Sequence, residues 1–229
     1  MYINTTGIIL REVHYKDSSK ILTVLTSGEG KLTVSAHGTH RKNNKLAAAT
    51  QLFVYSHMTL TYRKGRYTLT EAQTIEQFIG LRDDIKSLAL ASYIADLTEA
   101  LADEDSPNPE LLTLCLNTIY ALSENIKPLE LIKSAFELRL MVISGFEPNL
   151  TDINESSTNT HEDGVLSLSS NTLTIAEYVL TCDLKKLFSF NPNERALNEF
   201  SKEVEKYLLT HLDRGFKTLD FYKKVKINS

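Results

Sequence analysis

The feature that most constrains this 229-residue chain is a change of hydrophobic period at Gly80. Before it, apolar and polar residues alternate. Leu32, Val34 and Ala36 interleave with Lys31, Thr33, Ser35 and His37. Leu52, Val54, Met58, Leu60 and Tyr62 share one parity, with Phe53, Tyr55, His57 and Thr59 on the other. A period of two places one set on a core face and the other toward solvent or a ligand, as in a strand. After Gly80, Leu81, Ile85, Leu88, Ala89, Ala95, Leu97 and Leu101 recur at the spacing of a helix. A chain patterned this way cannot be one sheet or one bundle; it needs a β part followed by an α part.

Turn residues divide the first part into five strands. Ser27-Gly28-Glu29-Gly30 joins Ile21–Thr26 to Lys31–His37, and Arg63-Lys64-Gly65-Arg66 joins the fourth run to Tyr67–Ile75. Ile3–Tyr15 supplies the first strand. Five short antiparallel strands in this length suit a small closed or nearly closed barrel such as an OB-fold, and an SH3-like barrel fits the count almost as well. In the second part, Asn108-Pro109 reads as an N-cap with proline at the first helical position. Leu112, Cys115, Ile119 and Leu122 line the helix that follows. Pro128 opens another, carrying Ile132, Ala135, Phe136, Leu140 and Ile143, with Gly145 placed as its left-handed C-terminal cap. Residues 147–172 contain a polar run, Asn154 to Gly164, that reads as an exposed loop beside a short hairpin through Val165–Leu168. Helices resume near Thr174, and Leu197, Phe200, Val204 and Leu208 mark a long one over Asn193–Leu212. The expected class is α+β: a five-stranded barrel over 1–80 and an all-helical domain over 81–229, with 147–172 inserted as a polar loop.

Charge follows the same division. Residues 1–80 hold ten Lys/Arg against five Asp/Glu; the rest holds 15 against 24, so the overall −4 hides a basic barrel and an acidic helical part. Such asymmetry suggests different partners for the two parts. At 42% hydrophobic and 24% charged residues, the chain is neither fibrous nor mostly disordered. Two cysteines, Cys115 and Cys182, exclude a disulfide framework and a cysteine-rich zinc site. The start of the chain does not read as a signal peptide. The longest stretch without charged residues, Leu46–Tyr62, is too polar to cross a bilayer. The expected location is the cytoplasm.

Two basic clusters carry the functional reading. Arg41, Lys42 and Lys45 follow the strand that ends at His37, and Arg63, Lys64 and Arg66 occupy the last turn of the barrel. Cations along a barrel loop can track a phosphate backbone while Tyr62 and Tyr67 stack on bases; ordinary solvated turns have the same composition. No catalytic residues are expected. Asp83-Asp84 suits a helix N-terminus, and the chain has no GxSxG, HExxH, P-loop or GxGxxG sequence. No metal site is expected either, since His37, His40, His161, Glu162 and Asp163 lack ligands at a zinc spacing. In the helical part, Lys133 and Arg139 flank Ile132, Phe136 and Leu140. They read either as cations snorkelling from a core helix or as the rim of an apolar pocket for an acidic peptide with an apolar end. Arg214, Lys217, Lys223, Lys224 and Lys226 crowd the C-terminus, where they suit either phosphate contacts or a solvated end.

The assembled order of motifs resembles the RecO family of bacterial recombination mediators. The similarity runs through Gly7–Arg11, Tyr15-Lys16-Asp17-Ser18-Ser19-Lys20-Ile21-Leu22, Gly28–Lys31 and His37-Gly38-Thr39-His40-Arg41-Lys42. It continues through Gly80-Leu81-Arg82-Asp83-Asp84, Ala91-Ser92-Tyr93 and Asn108-Pro109-Glu110-Leu111. Ala135-Phe136-Glu137-Leu138-Arg139-Leu140, Gly145-Phe146-Glu147-Pro148, Tyr207-Leu208 and Leu219-Asp220-Phe221 complete it. The resemblance implies an OB-fold followed by a helical domain. It implies binding of single- and double-stranded DNA and annealing of complementary strands. It also implies contact with the acidic tail of single-strand-binding protein, and partnership with RecR in placing RecA on coated DNA. Lys133, Arg139 and the apolar residues around Phe136 are the expected tail site. Many members carry four zinc-binding cysteines just after the Gly-Phe-x-Pro segment. This chain has Thr151-Asp152-Ile153-Asn154 there, so the family's zinc is expected to be absent. The expected function is a non-enzymatic, cytoplasmic and nucleoid-associated DNA-repair mediator. The alternatives are an RNA- or tRNA-binding OB module on a helical scaffold, and a small-molecule enzyme in the helical part.

Overall fold

The computed structural model describes residues 1–15, 18–39, 46–153 and 164–227. Arg41, Lys42, Lys45, His40, His161, Glu162 and Asp163 lie outside the described residues. The chain divides into two compact units, one formed by Met1–Ile79 with Ala95–Ile119, the other by Gly80–Ile94 with Tyr120–Ser229. The β unit therefore includes two helical stretches that the periodicity assigned to the part after residue 80.

Five strands form a closed barrel: β1 (Tyr2–Tyr15), β2 (Ser19–Thr26), β3 (Gly30–Ala36), β4 (Tyr55–Arg63) and β5 (Arg66–Glu76). Their order around the barrel is β1-β2-β3-β5-β4, and β4 closes onto β1. β1 can pair with both neighbours because it is long and irregular: residues 2–8 pair with β4, residues 7–15 with β2, and the register shifts between Ile9 and Arg11. All pairings are antiparallel except β3 with β5, which run parallel through Val34↔Tyr67, Ser35↔Thr68 and Ala36↔Leu69. This order, with a four-residue helix α1 (Leu46–Ala49) between β3 and β4, is that of an OB-fold and not of an SH3-like barrel. The inward parity is the one the alternation marks along Leu32–Ala36 and Met58–Leu60, but not beyond them: Phe53, at φ +65° ahead of β4, is buried on the opposite parity, and Tyr62 is exposed. Ile3, Ile9, Leu22, Val24, Leu32, Val34, Ala36, Met58, Leu60 and Leu69 form the barrel core.

The remaining helices are α2 (Ile85–Leu101), α3 (Pro109–Ser123), α4 (Leu129–Ile143), α5 (Ser170–Thr181), α6 (Glu194–Leu212) and α7 (Lys217–Ile227). Their ends follow local chemistry. The side chain of Asn108 accepts from Leu111 N–H at 2.9 Å, with Pro109 first in α3. Asn193 does the same for Ala196 at the start of α6, also at 2.9 Å. At the end of α4, Gly145 takes φ +85°, and the N–H groups of Gly145 and Phe146 reach back to Val142 and Met141. That is a left-handed cap of the Schellman type. The region after α4 differs from the expected hairpin. β6 (Asn149–Asp152) and β7 (Val165–Leu168) pair in parallel, Asn149↔Val165 to Asp152↔Leu168. The twelve residues between them are enough for the crossover that a parallel pair requires.

Candidate nucleic-acid interface

The β4–β5 hairpin is the most cationic described element of the barrel. Lys64 and Gly65 both take positive φ, 53° and 74°, as a two-residue type I′ turn demands. The turn fixes the register, so Arg63 stands opposite Arg66 and Tyr62 opposite Tyr67. All three cations are exposed, and none has a carboxylate partner among the described residues. Like charges placed directly across a strand pair are destabilising. A hairpin that holds Arg63 against Arg66 is therefore suited to an anion. Behind them, the rings of Tyr62 and Tyr67 lie 4.8 Å apart at 42°, and Tyr62 keeps 42% of its surface open. Tyr67 donates from its hydroxyl to Asp105 Oδ1 at 2.9 Å. Its phenol is pushed up to about 12, first by burial and then by the Asp105 carboxylate. Tyr67 is accordingly a neutral platform, fixed in orientation by Asp105.

The other described cations of the barrel are occupied. Arg11 pairs with Glu99 at 2.6 Å. Lys20, only 6% exposed, pairs with Glu12 at 2.5 Å and donates to the Thr50 carbonyl at 3.1 Å. Lys31 donates to the Glu99 carbonyl at 2.9 Å. Of the ten cations in residues 1–80, three hold the fold together and three crown the hairpin; Lys16, Arg41, Lys42 and Lys45 lie outside the described residues. In OB-folds the β4–β5 loop, the β1–β2 loop and the β2–β3 face are where oligonucleotides bind.

The second expected site looks different in three dimensions. α4 is buried nearly all round: Ile132, Phe136 and Leu140 are fully enclosed, and Lys133 is 3% exposed. Lys133 is not a rim cation. Its Nζ lies 2.8 Å from Glu137 and 2.8 Å from Glu205 of α6, and 5.9 Å from the centre of the Tyr93 ring. Tyr93 completes the cluster by donating to Glu137 at 2.7 Å. Burial alone would draw the Lys133 ammonium down, yet the two glutamates hold its pKa above the ordinary lysine value. Arg139 is half-buried and donates to the carbonyls of Leu180 and, at 3.4 Å, Val179. These lie in the last turn of α5, whose carbonyls lack helical partners and favour a cation. Helical spacing correctly sets Lys133 and Arg139 three residues either side of Phe136. It carries no information about the acceptors that distant segments bring to them, and those acceptors turn the expected rim into packing.

The cysteine quartet of the family's zinc module has no counterpart in this sequence. Its two cysteines, Cys115 and Cys182, both lie outside the β6–β7 region, and burial pushes the Cys115 thiol up to about 12. Among the described residues no three His, Cys, Asp or Glu side chains come together as a metal site. No helix among them is long and apolar enough to cross a membrane.

The loop that supplies Asp105 is a feature the periodicity missed. Asp103-Glu104-Asp105 reads as a polar break between helices, yet it runs alongside β3 through a parallel bridge between Glu104 and Lys31. No local pattern marks the contact, because Tyr67 and Asp105 lie 38 residues apart in the sequence.

A five-stranded OB barrel placed ahead of a helical region defines the class: OB-fold proteins with an α-helical C-terminal extension. Comparison with known proteins narrows it. The model of the Recombination protein O N terminal matches residues 1–78, and that of the Recombination protein O C terminal matches residues 82–220. The chain is 31% identical to the DNA repair protein RecO of Alkaliphilus metalliredigens over 98% of its own length and all of that protein's. It is 28% identical to the RecO of Acetivibrio thermocellus over 97% of the chain and 96% of the relative. A third match, to the RecO of Halalkalibacterium halodurans, is 35% identical over 66% of the chain and 59% of the relative. The chain belongs to the RecO family of DNA repair proteins.

Proposed function

We propose that this protein acts in DNA repair by binding DNA through its barrel and annealing complementary strands, without catalysing a covalent step and without zinc. The observation that carries the reading is the β4–β5 hairpin. It presents three cations with no carboxylate partner among the described residues, beside a tyrosine pair, at a position where OB-folds take oligonucleotides. Exposed cations supply phosphate affinity that does not depend on sequence, and the tyrosines supply stacking that tolerates any base. Both properties suit a protein that must engage whatever strand is being repaired. Family membership extends the proposal to partners: the acidic tail of single-strand-binding protein, RecR, and through them RecA. The setting proposed is the cytoplasm, at the nucleoid. Because α4 buries Lys133 and Phe136, the tail site is proposed for the protein without being assigned to α4.

The test is annealing of complementary oligonucleotides coated with single-strand-binding protein, run with structured RNA as competitor. Accelerated annealing that RNA does not suppress supports the proposal. Stronger competition by structured RNA than by single-stranded DNA favours the RNA-binding reading instead.

A further inference from the structure

The acidic loop beside the tyrosine pair occupies a particular place in the barrel wall. β3 begins at Gly30, but β5 joins it only from Val34 onward. The exposed edge of β3 before that point is taken by the loop: Lys31 N–H donates to the Asp103 carbonyl at 3.2 Å, and Asp105 N–H to the Lys31 carbonyl at 3.4 Å. The loop is also pressed against the β2–β3 turn. A Cβ at Gly30, which takes φ +72°, would stand 2.3 Å from the Ser106 carbonyl oxygen. The segment is thus fixed in the wall at the point where Asp105 grips Tyr67.

Its charges have no counter-ion among the described residues. Asp103, Glu104 and Asp105 are exposed, and no cation among the described residues pairs with them. Lys31, the nearest in register, spends its ammonium on the Glu99 carbonyl. Glu29 adds a fourth carboxylate close enough to act on the Tyr67 phenol. A strand stacked on Tyr62 and Tyr67 would have its next phosphates within roughly the 8 Å Debye length of these acids at physiological salt. Cations therefore border one side of the platform and fixed anions the other.

We propose that the loop Asp103–Asp105 is an anionic stop: it ends the path of a nucleic-acid strand at Tyr67 and restricts the barrel to a short single-stranded segment. This rests on the hairpin as the DNA-binding element. A short site favours many weak, exchangeable contacts over one tight wrap, which suits a protein that must release the strands it pairs.

The experiment measures binding of oligo-dT of about 4 and about 20 nucleotides to the full chain, a range spanning single OB-fold footprints. D103N/E104Q/D105N is compared with wild type and with a bulk-charge control, E124Q/E147Q/E194Q. The amide at 105 keeps an acceptor for Tyr67. The stop predicts that the loop variant binds the short oligomer as wild type does. It predicts that the variant binds the long one about tenfold more tightly, with a salt slope steeper by about 1 as further phosphates are engaged. A loop variant that behaves as the control, or gains equally at both lengths with an unchanged slope, overturns the stop. If R63A/K64A/R66A leaves wild-type affinity intact for both oligomers, the hairpin reading itself has failed and the stop falls with it.

Discussion

The barrel hairpin and helix α4 each set cations beside aromatic residues, and they use them in opposite ways. Arg63, Lys64 and Arg66 are held in solvent by a two-residue turn whose described neighbours contribute no carboxylate. Lys133 is enclosed between Glu137 and Glu205 with Tyr93 alongside, and Arg139 is spent on the end of α5. Part of the difference is local, since Glu137 stands one helical turn after Lys133. The rest lies in whether residues far away in the chain bring acceptors to the same place. A short hairpin has few such neighbours, so its cations remain available to a ligand. A helix packed against α5 and α6 has many, so its cations become part of the fold.

The contrast breaks most visibly at Lys133. Replacing it with alanine strands Glu137, which is wholly buried, and the expected loss is about 3–5 kcal/mol in chemical denaturation. The same change should leave the affinity of the remaining folded protein for single-stranded DNA unaltered. A small loss of stability with a large loss of DNA binding would reverse the roles assigned to the two regions. Next in size is Arg139→Ala, which removes charged hydrogen bonds to the α5 carbonyls and should cost about 1–2 kcal/mol. A solvated rim arginine would cost within about 0.5 kcal/mol, so the thermal melt separates the two cases.

The smallest effect concerns acid. Burial works to raise the Glu199 pKa, but the Ser169 N–H and the hydroxyls of Ser169 and Thr172 together hold it below the ordinary glutamate value of 4.5. Its contribution to stability is therefore complete above about 4.5 and lost as pH falls through the lower folded-state value. Denaturation of Glu199→Gln between pH 6 and pH 3 should show a flatter acid limb than wild type, by under about 1 kcal/mol. An unchanged slope would remove Glu199 from the helical unit's acid response.

The parts of the molecule that were legible beforehand are those governed by nearby residues. Alternation along Leu32–Ala36 and Met58–Leu60 marks the barrel core. Asn108-Pro109, Asn193 and Gly145 mark helix ends, because a cap is a contact over three or four residues. The hairpin cations were legible for the same reason: the turn that exposes them is four residues long. What local pattern could not show depends on long-range pairing. The parallel β3·β5 closure decides between an OB and an SH3-like barrel, and it joins residues more than thirty positions apart. The parallel β6·β7 pair stands where a hairpin is expected, because two four-residue strands sixteen positions apart in register carry no local sign of their pairing. Stretches of α2 and α3 belong to the β unit, which no change of period announces. Of the two carboxylates that enclose Lys133, Glu137 is one turn along the same helix, but Glu205 is seventy-two residues away.

The central claim is that the hairpin cations, and not those of the helical part, meet DNA phosphates. It is tested most directly by the salt dependence of single-stranded DNA affinity in R63A/K64A/R66A against wild type. Each phosphate contact contributes a slope of about −0.7 in log affinity against log salt for single strands, so three lost contacts should flatten the slope by about 2. The substitutions lie in an exposed turn, so the melting temperature should stay close to that of wild type. A flatter slope in a variant that still melts as wild type is the predicted result. An unchanged slope in a variant that remains folded would contradict the account and place the phosphate contacts elsewhere on the chain.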